Sequence, residues 1–149
     1  MKKTLFTIFT VFMFFIPFAT SAAVQTTGND PEKINLYRVE MKLTKDGTAN
    51  VTERIVYDFG RNQKHGIFRN IPMLYKTRRG NPHQNIKVTS VVNENNVAYK
   101  TKISGFNTLT IQIGDEDVLV SGVKTYIINY QVKRVINSLT DKDQLLWNF

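Results

Sequence analysis

An antiparallel β-sandwich of seven or eight strands is the fold this sequence predicts, and three observations predict it. Apolar and polar side chains alternate in run after run between Tyr37 and Val132, the two-residue period of strands that bury one face. Clusters of turn formers, Lys45-Asp46-Gly47, Asn93-Glu94-Asn95-Asn96 and Ser104-Gly105-Phe106-Asn107 among them, separate the runs. The chain beyond its first residues carries no amphipathic helical period, and many short strands with frequent turns are the pattern of a sandwich.

The first 22 residues read as a signal peptide. Lys2 and Lys3 precede the uncharged apolar run Leu5 to Phe18, and the small-residue run Ala19-Thr20-Ser21-Ala22-Ala23 follows it, giving a charged, an apolar and a cleavable region in order. The competing reading is an uncleaved anchor, since Thr4 to Val24 is uncharged throughout and about 20 apolar residues can cross a bilayer. Either way the sequence predicts export and an extracytoplasmic domain, secreted or membrane-associated. There is no cysteine, so neither disulfides nor a thiol-linked lipid is expected, and the fold must rest on its core.

Residues 23–33 are polar, with Gly28 and Pro31, and read as a flexible lead-in. The sandwich domain is expected over 34–149. Tyr37, Val39, Met41 and Leu43 form one face of a first strand, and Asp46-Gly47 turns the chain into an antiparallel partner. That partner places Ala49, Val51, Glu53, Ile55, Tyr57 and Phe59 on one face. Glu53 is the exception on an apolar row. A carboxylate there must be paired, protonated or turned outward, because an unpaired buried charge is strongly disfavoured. Two readings stay open: an ion pair with Arg69, itself set among Ile67, Phe68 and Ile71, or a bulge near Glu53 that exposes it.

Further strands follow. Ile86 and Val88 open one, and Val97, Tyr99, Thr101 and Ile103 are expected to complete a hairpin with it across the asparagine-rich turn. Leu109, Ile111 and Ile113 form another, Val118 to Val120 is short and apolar, and Tyr126, Ile128, Tyr130 and Val132 form a clean strand. Leu145, Trp147 and Phe149 begin a last one. This apolar ending predicts either a buried final strand or a domain that continues beyond it.

No catalytic or cofactor constellation stands out, so no cofactor and no enzyme activity are expected. His65 and His83 are too few ligands for zinc without cysteine. The acidic run Asp115-Glu116-Asp117 lacks the spacing of a calcium loop, and Ser121-Gly122 lacks a nucleophile's surrounding motif. Glu53 alone is thin ground for a paired-carboxylate hydrolase. The formal net charge is +8, two charges of it in the leader, and Arg61, Lys64, Arg69, Lys76, Arg78 and Arg79 crowd one region. Outside the cytoplasm nucleic acid is not the expected target. Lys76, Arg78 and Arg79 point instead to an anionic envelope polymer or lipid headgroups, each basic residue adding about 1 kcal/mol near a charged membrane; another envelope protein is a further expected partner. A module that binds carbohydrate, or an enzyme acting on envelope polymer, is the alternative.

The run NLYRVEMKLTKDGTANVTERIVYDFG, followed by HGIFRNIP, YIINYQVKRVIN and DQLLWNF, resembles the bacterial predicted-membrane-protein family known as domain of unknown function 2207. Asp46-Gly47, Glu53, Gly66-Ile67-Phe68-Arg69 with Ile71-Pro72, and Tyr130 with Leu146-Trp147-Asn148 carry the resemblance, which spans about Ile34 to Phe149. It implies a signal peptide, an extracytoplasmic β-rich domain and transmembrane helices after it, often with a glycine-rich tail. It brings no activity, catalytic residue or cofactor.

Overall fold

The structure, a computed structural model, describes residues 31–75, 80, 83–138, 143–145 and 147. The expected signal peptide, residues 23–30 of the lead-in, Lys76, Arg78, Arg79, Leu146, Asn148 and Phe149 lie outside the described residues.

The chain is all-β. Nine strands follow one another among the described residues: β1 (Lys33–Leu43), β2 (Ala49–Asp58), β3 (Ile67–Pro72), β4 (Asn85–Val92), β5 (Thr101–Ser104), β6 (Thr108–Ile113), β7 (Val123–Lys133), β8 (Ile136–Ser138) and β9 (Asp143–Leu145). The first sheet has the order β1-β2-β7-β4, the second β3-β6-β5, and β8 with β9 forms a small ribbon. All pairings are antiparallel. The two larger sheets face each other, and the expected alternation becomes the core. Val51 and Ile55 of β2, Tyr126, Ile128 and Tyr130 of β7, and Leu109, Ile111 and Ile113 of β6 are all buried.

The β1–β2 hairpin forms where Asp46-Gly47 predicts it, with Gly47 at a φ of 76°. Thr44 donates its hydroxyl to the Asp46 carboxylate and to the Thr48 carbonyl, and the Thr48 hydroxyl donates to Asp46 at 3.0 Å. These bonds hold the Asp46 carboxyl below its ordinary range, the Thr44 bond most of all. Where the turn closes, Ala49 pairs with Leu43, and the register continues without a break through Val39 opposite Glu53. No bulge interrupts β2 against β7 either. The reading in which a bulge exposes Glu53 therefore falls; the irregularities lie in the neighbours, at Ile34/Leu36 of β1 and Val88/Ser90 of β4.

The expected second hairpin forms only at its turn. Asn93 and Val97 close the loop, Val92 bridges Ala98, and the Tyr99 N–H donates to the Val91 carbonyl. The chain then leaves β4, and Thr101–Ser104 pairs with β6 in the opposite sheet. β4 takes β7 instead, a longer partner whose buried row it extends. Val118 to Val120 is no named strand; Val120 makes an isolated bridge to Lys64. The last strand lies earlier than expected, at Asp143–Leu145 against β8; Trp147 falls outside it and stacks on Tyr130 with ring centroids 6.0 Å apart.

Gly66 and Gly114 cross at close quarters where β3 begins and β6 ends. A Cβ on Gly114, at a φ of 137°, would sit 1.8 Å from the His65 carbonyl oxygen. Gly114→Ala therefore combines backbone strain, worth about 1–3 kcal/mol, with a clash that only backbone movement relieves. A loss of at least about 2 kcal/mol in urea unfolding is expected. Gly47→Ala, with open space around its Cβ, should cost only about 1–2 kcal/mol for its left-handed conformation. Equal losses at the two positions would count against the close crossing.

Candidate functional site

The one carboxylate buried in the described core is that of Glu53, 1% exposed. β2 runs between β1 and β7, so Glu53 has Val39 on one side and Ile128 on the other. Alternation turns it inward, toward the second sheet about 10 Å away. Arg69 reaches it from β3, where it shares the inner face with Ile67 and Ile71, and its side chain is 19% exposed. The expected pair is present, and its geometry is bidentate. Arg69 Nε donates to Glu53 Oε2 at 2.6 Å, and Nη2 donates to Oε1 at 2.9 Å.

Two tyrosines complete the arrangement. Tyr130 of β7 donates its hydroxyl to Glu53 Oε1 at 2.6 Å. Arg69 Nη2 also donates to the Tyr37 hydroxyl at 2.9 Å, and Nη1 donates to the Asn70 carbonyl at 2.6 Å. Charge-assisted bonds of this kind are roughly twice as strong as neutral ones. Glu53 raises the affinity of Arg69 for its proton, chiefly through their hydrogen bond. Burial, and then the bond to Glu53, push Tyr130 far above the ordinary phenol range. Tyr37 rises through burial first and then through the negative charge of Glu53. Both oxygens of the carboxylate are thus taken by groups of the same chain.

A second polar cluster ties the start of the domain to the loop after β2. Tyr57 donates to Glu32 Oε2 at 2.8 Å, Asn62 donates to Oε1 at 3.2 Å, and Lys64 Nζ lies 3.2 Å from Oε1. These contacts lower the Glu32 carboxyl, the Tyr57 bond foremost. Their stabilisation is therefore present at neutral pH and lost as the pH falls through the lowered value. Glu32 is anchored and β1 begins at Lys33, so the last residues of the expected lead-in, which ended at 33, belong to the folded domain.

The other candidates stand apart. His65 shares a hydrogen bond with the Val118 carbonyl and His83 with that of Phe106. Asp115 accepts from Lys100 Nζ at 2.9 Å and from the Asp117 N–H at 3.1 Å. Among the described residues no group of three or more metal-ligating side chains could hold a metal ion. Of the basic residues singled out, Arg69 and Lys64 are paired with Glu53 and Glu32. Between β1 and β3 lies an apolar groove of about 360 Å³, lined by Ile34, Tyr37, Tyr57, Ile67, Phe68 and Arg69.

Sequence reasoning missed the tyrosines and the Glu32 cluster. The inward face of Tyr130 was readable from Tyr126, Ile128 and Tyr130, but that it stands diagonal to Glu53 depends on Val51 lying opposite Tyr130.

Fold and site together define an all-β sandwich domain cross-linked through its core by one carboxylate–guanidinium–phenol network. The chain belongs to the family described as predicted membrane protein (DUF2207) N-terminal domain, whose model matches residues 33–149. No curated protein and no solved structure matches the chain. Among the described residues no helix is long and apolar enough to cross a membrane.

Proposed function

We propose that this chain is an exported, non-catalytic sandwich module of an envelope membrane protein, facing out of the cytoplasm and serving as an interaction or structural domain. One observation carries the reading. The carboxylate that chemistry would most naturally use, Glu53, is 1% exposed, and both its oxygens are committed to Arg69 and Tyr130. A general acid or nucleophile needs an accessible oxygen within hydrogen-bond reach of its substrate. The same residues fit a cross-link between two sheets. Tyr99 speaks against a sugar platform: its hydroxyl donates to the Thr125 carbonyl and its ring packs on Tyr126 at 4.9 Å.

In this reading Lys76, Arg78 and Arg79 provide contact with anionic envelope polymer or lipid headgroups. The full chain is expected to sediment with vesicles containing anionic lipid and to be released as salt rises, since the Debye length shrinks from about 10 Å at 0.1 M to about 3 Å at 1 M. Arg78→Ala with Arg79→Ala should lower the bound fraction severalfold. Binding indifferent to these substitutions would remove the basic loop from the reading. Release of soluble product from purified envelope polymer, lost on replacing a carboxylate without loss of fold, would overturn the non-catalytic assignment.

A further inference from the structure

The four edges of the two sheets are not equally protected. On β3 the Arg69 guanidinium caps the Asn70 carbonyl, and Pro72 has no N–H to offer. The C-terminal part of β4 is covered by the returning chain, through the Tyr99–Val91 hydrogen bond and the Val92–Ala98 bridge. β5 is only four residues long. β1 runs for 11 residues and, among the described residues, has β2 on one side alone. A long open edge is a template for another strand unless something blunts it.

The side chains of β1 add a second fact. Its register with β2 places Ile34, Tyr37, Val39, Met41 and Leu43 on the core side of the sheet. The three-stranded sheet covers this row only in part: Arg69 of β3 reaches the Tyr37 hydroxyl, and Val39 and Met41 pack against the core. Ile34 is 56% exposed and Leu43 52%, and Val39 and Met41 are only half-buried. On the opposite face stand Arg38, Glu40 and Lys42 in succession, with Arg38 bonded to Glu40 at 3.1 Å. Positive charge on an edge ordinarily repels a like strand. Here the charges alternate in sign, and that changes what the edge selects.

We propose that β1 is a self-association edge, pairing antiparallel with β1 of a second copy about a two-fold axis through Val39. That register sets Arg38 opposite the second copy's Glu40 and Glu40 opposite its Arg38. On the core side, Tyr37 meets Met41, Val39 meets Val39, and the two partly exposed apolar rows join. A two-fold axis normal to the sheet keeps each face on its own side, so only residue-centred registers are available. Centring on Arg38 or Glu40 puts like charges face to face, which is destabilising. Centring on Met41 matches Glu40 with Lys42 but overlaps only residues 39–43, whereas the Val39 centre pairs 35–43. The result is one continuous eight-stranded sheet and an isologous interface of the commonest kind.

The test uses charge reversal on the full chain, followed by sedimentation equilibrium. Arg38 and Glu40 are exposed side chains, 68% and 57%, so the fold should tolerate their replacement. Wild type is expected to dimerise reversibly. Arg38→Glu and Glu40→Arg should each weaken self-association by about tenfold or more, a difference of roughly 1.4 kcal/mol. An equimolar mixture of the two variants should form a heterodimer, because every cross-strand charge is then matched again, and the double variant should dimerise like wild type. A wild type that stays monomeric at millimolar concentration would overturn the proposal. So would a dimer unmoved by either reversal, which would assign association to another face, and so would failure of the mixture to associate, which would leave the edge to a strand of a different protein.

Discussion

Arg69→Ala is expected to cost about 3–5 kcal/mol of folding stability, the range for removing one partner of a buried ion pair. The loss comes mainly from what stays behind. The Glu53 carboxyl would be left at 1% exposure with the Tyr130 hydroxyl as its remaining side-chain partner, and one neutral donor does not replace a bidentate guanidinium. Glu53→Gln should cost less, about 1.5–3 kcal/mol for hydrogen bonds to a charged group. It removes the charge rather than stranding it, and Arg69, 19% exposed, retains access to water. The double variant should fall short of the summed losses by about 0.5–3 kcal/mol, as contacting residues do. Urea unfolding at neutral pH measures all three. Additivity within about 0.5 kcal/mol would mean that the two side chains do not act on each other.

Above about pH 10 the domain should lose stability steeply. Tyr126 and Tyr130 are buried, and burial raises both above the ordinary phenol value of 10. A group raised in the folded state contributes stability that is complete below its unfolded value and is lost as the pH climbs past it, because the unfolded chain releases a proton that the folded chain retains. Each such tyrosine should remove about 1.4 kcal/mol per pH unit above about 10, and the pair about 2.7 kcal/mol. Tyr130→Phe should lower the slope by about 1.4 kcal/mol per pH unit while costing about 1.5–3 kcal/mol at neutral pH for the lost bond to the Glu53 carboxylate. Urea titrations between about pH 8 and about pH 11 separate the two effects. A flat profile in the wild type would show that these hydroxyls ionise freely, and the core arrangement drawn above would fail.

Arg69 and Tyr130, one in each prediction, are both partners of Glu53. The alternation of Val51, Glu53 and Ile55 put the carboxylate on an apolar row, and Ile67 and Ile71 around Arg69 offered it a partner. The pair was one of two open readings, the other a bulge that exposes Glu53, and the unbroken register of β2 decided between them. That Tyr130 would join it could not be read from the sequence. It required β7 to lie beside β2 with Val51 opposite Tyr130, a matter of register between strands far apart in the chain. The run from Val97 to Ile103 marks the same boundary. Its pattern announced a strand and its turn announced a hairpin, yet Thr101–Ser104 joined β6 and left β4 to β7.

The sequence by itself determined that the chain is rich in antiparallel strands, which faces of β2, β6 and β7 are buried, where the Asp46-Gly47 turn falls, and which family the chain resembles. Only the tertiary structure decided which strands beyond the β1–β2 hairpin become neighbours, that the second sheet leaves part of the inner row of β1 exposed, and that Glu53 serves two donors from opposite sheets. The reason is physical. A period of two records the side of the sheet to which a side chain points, but backbone hydrogen bonds are alike for every partner. Neighbours are therefore chosen by packing between residues that the chain order does not bring together.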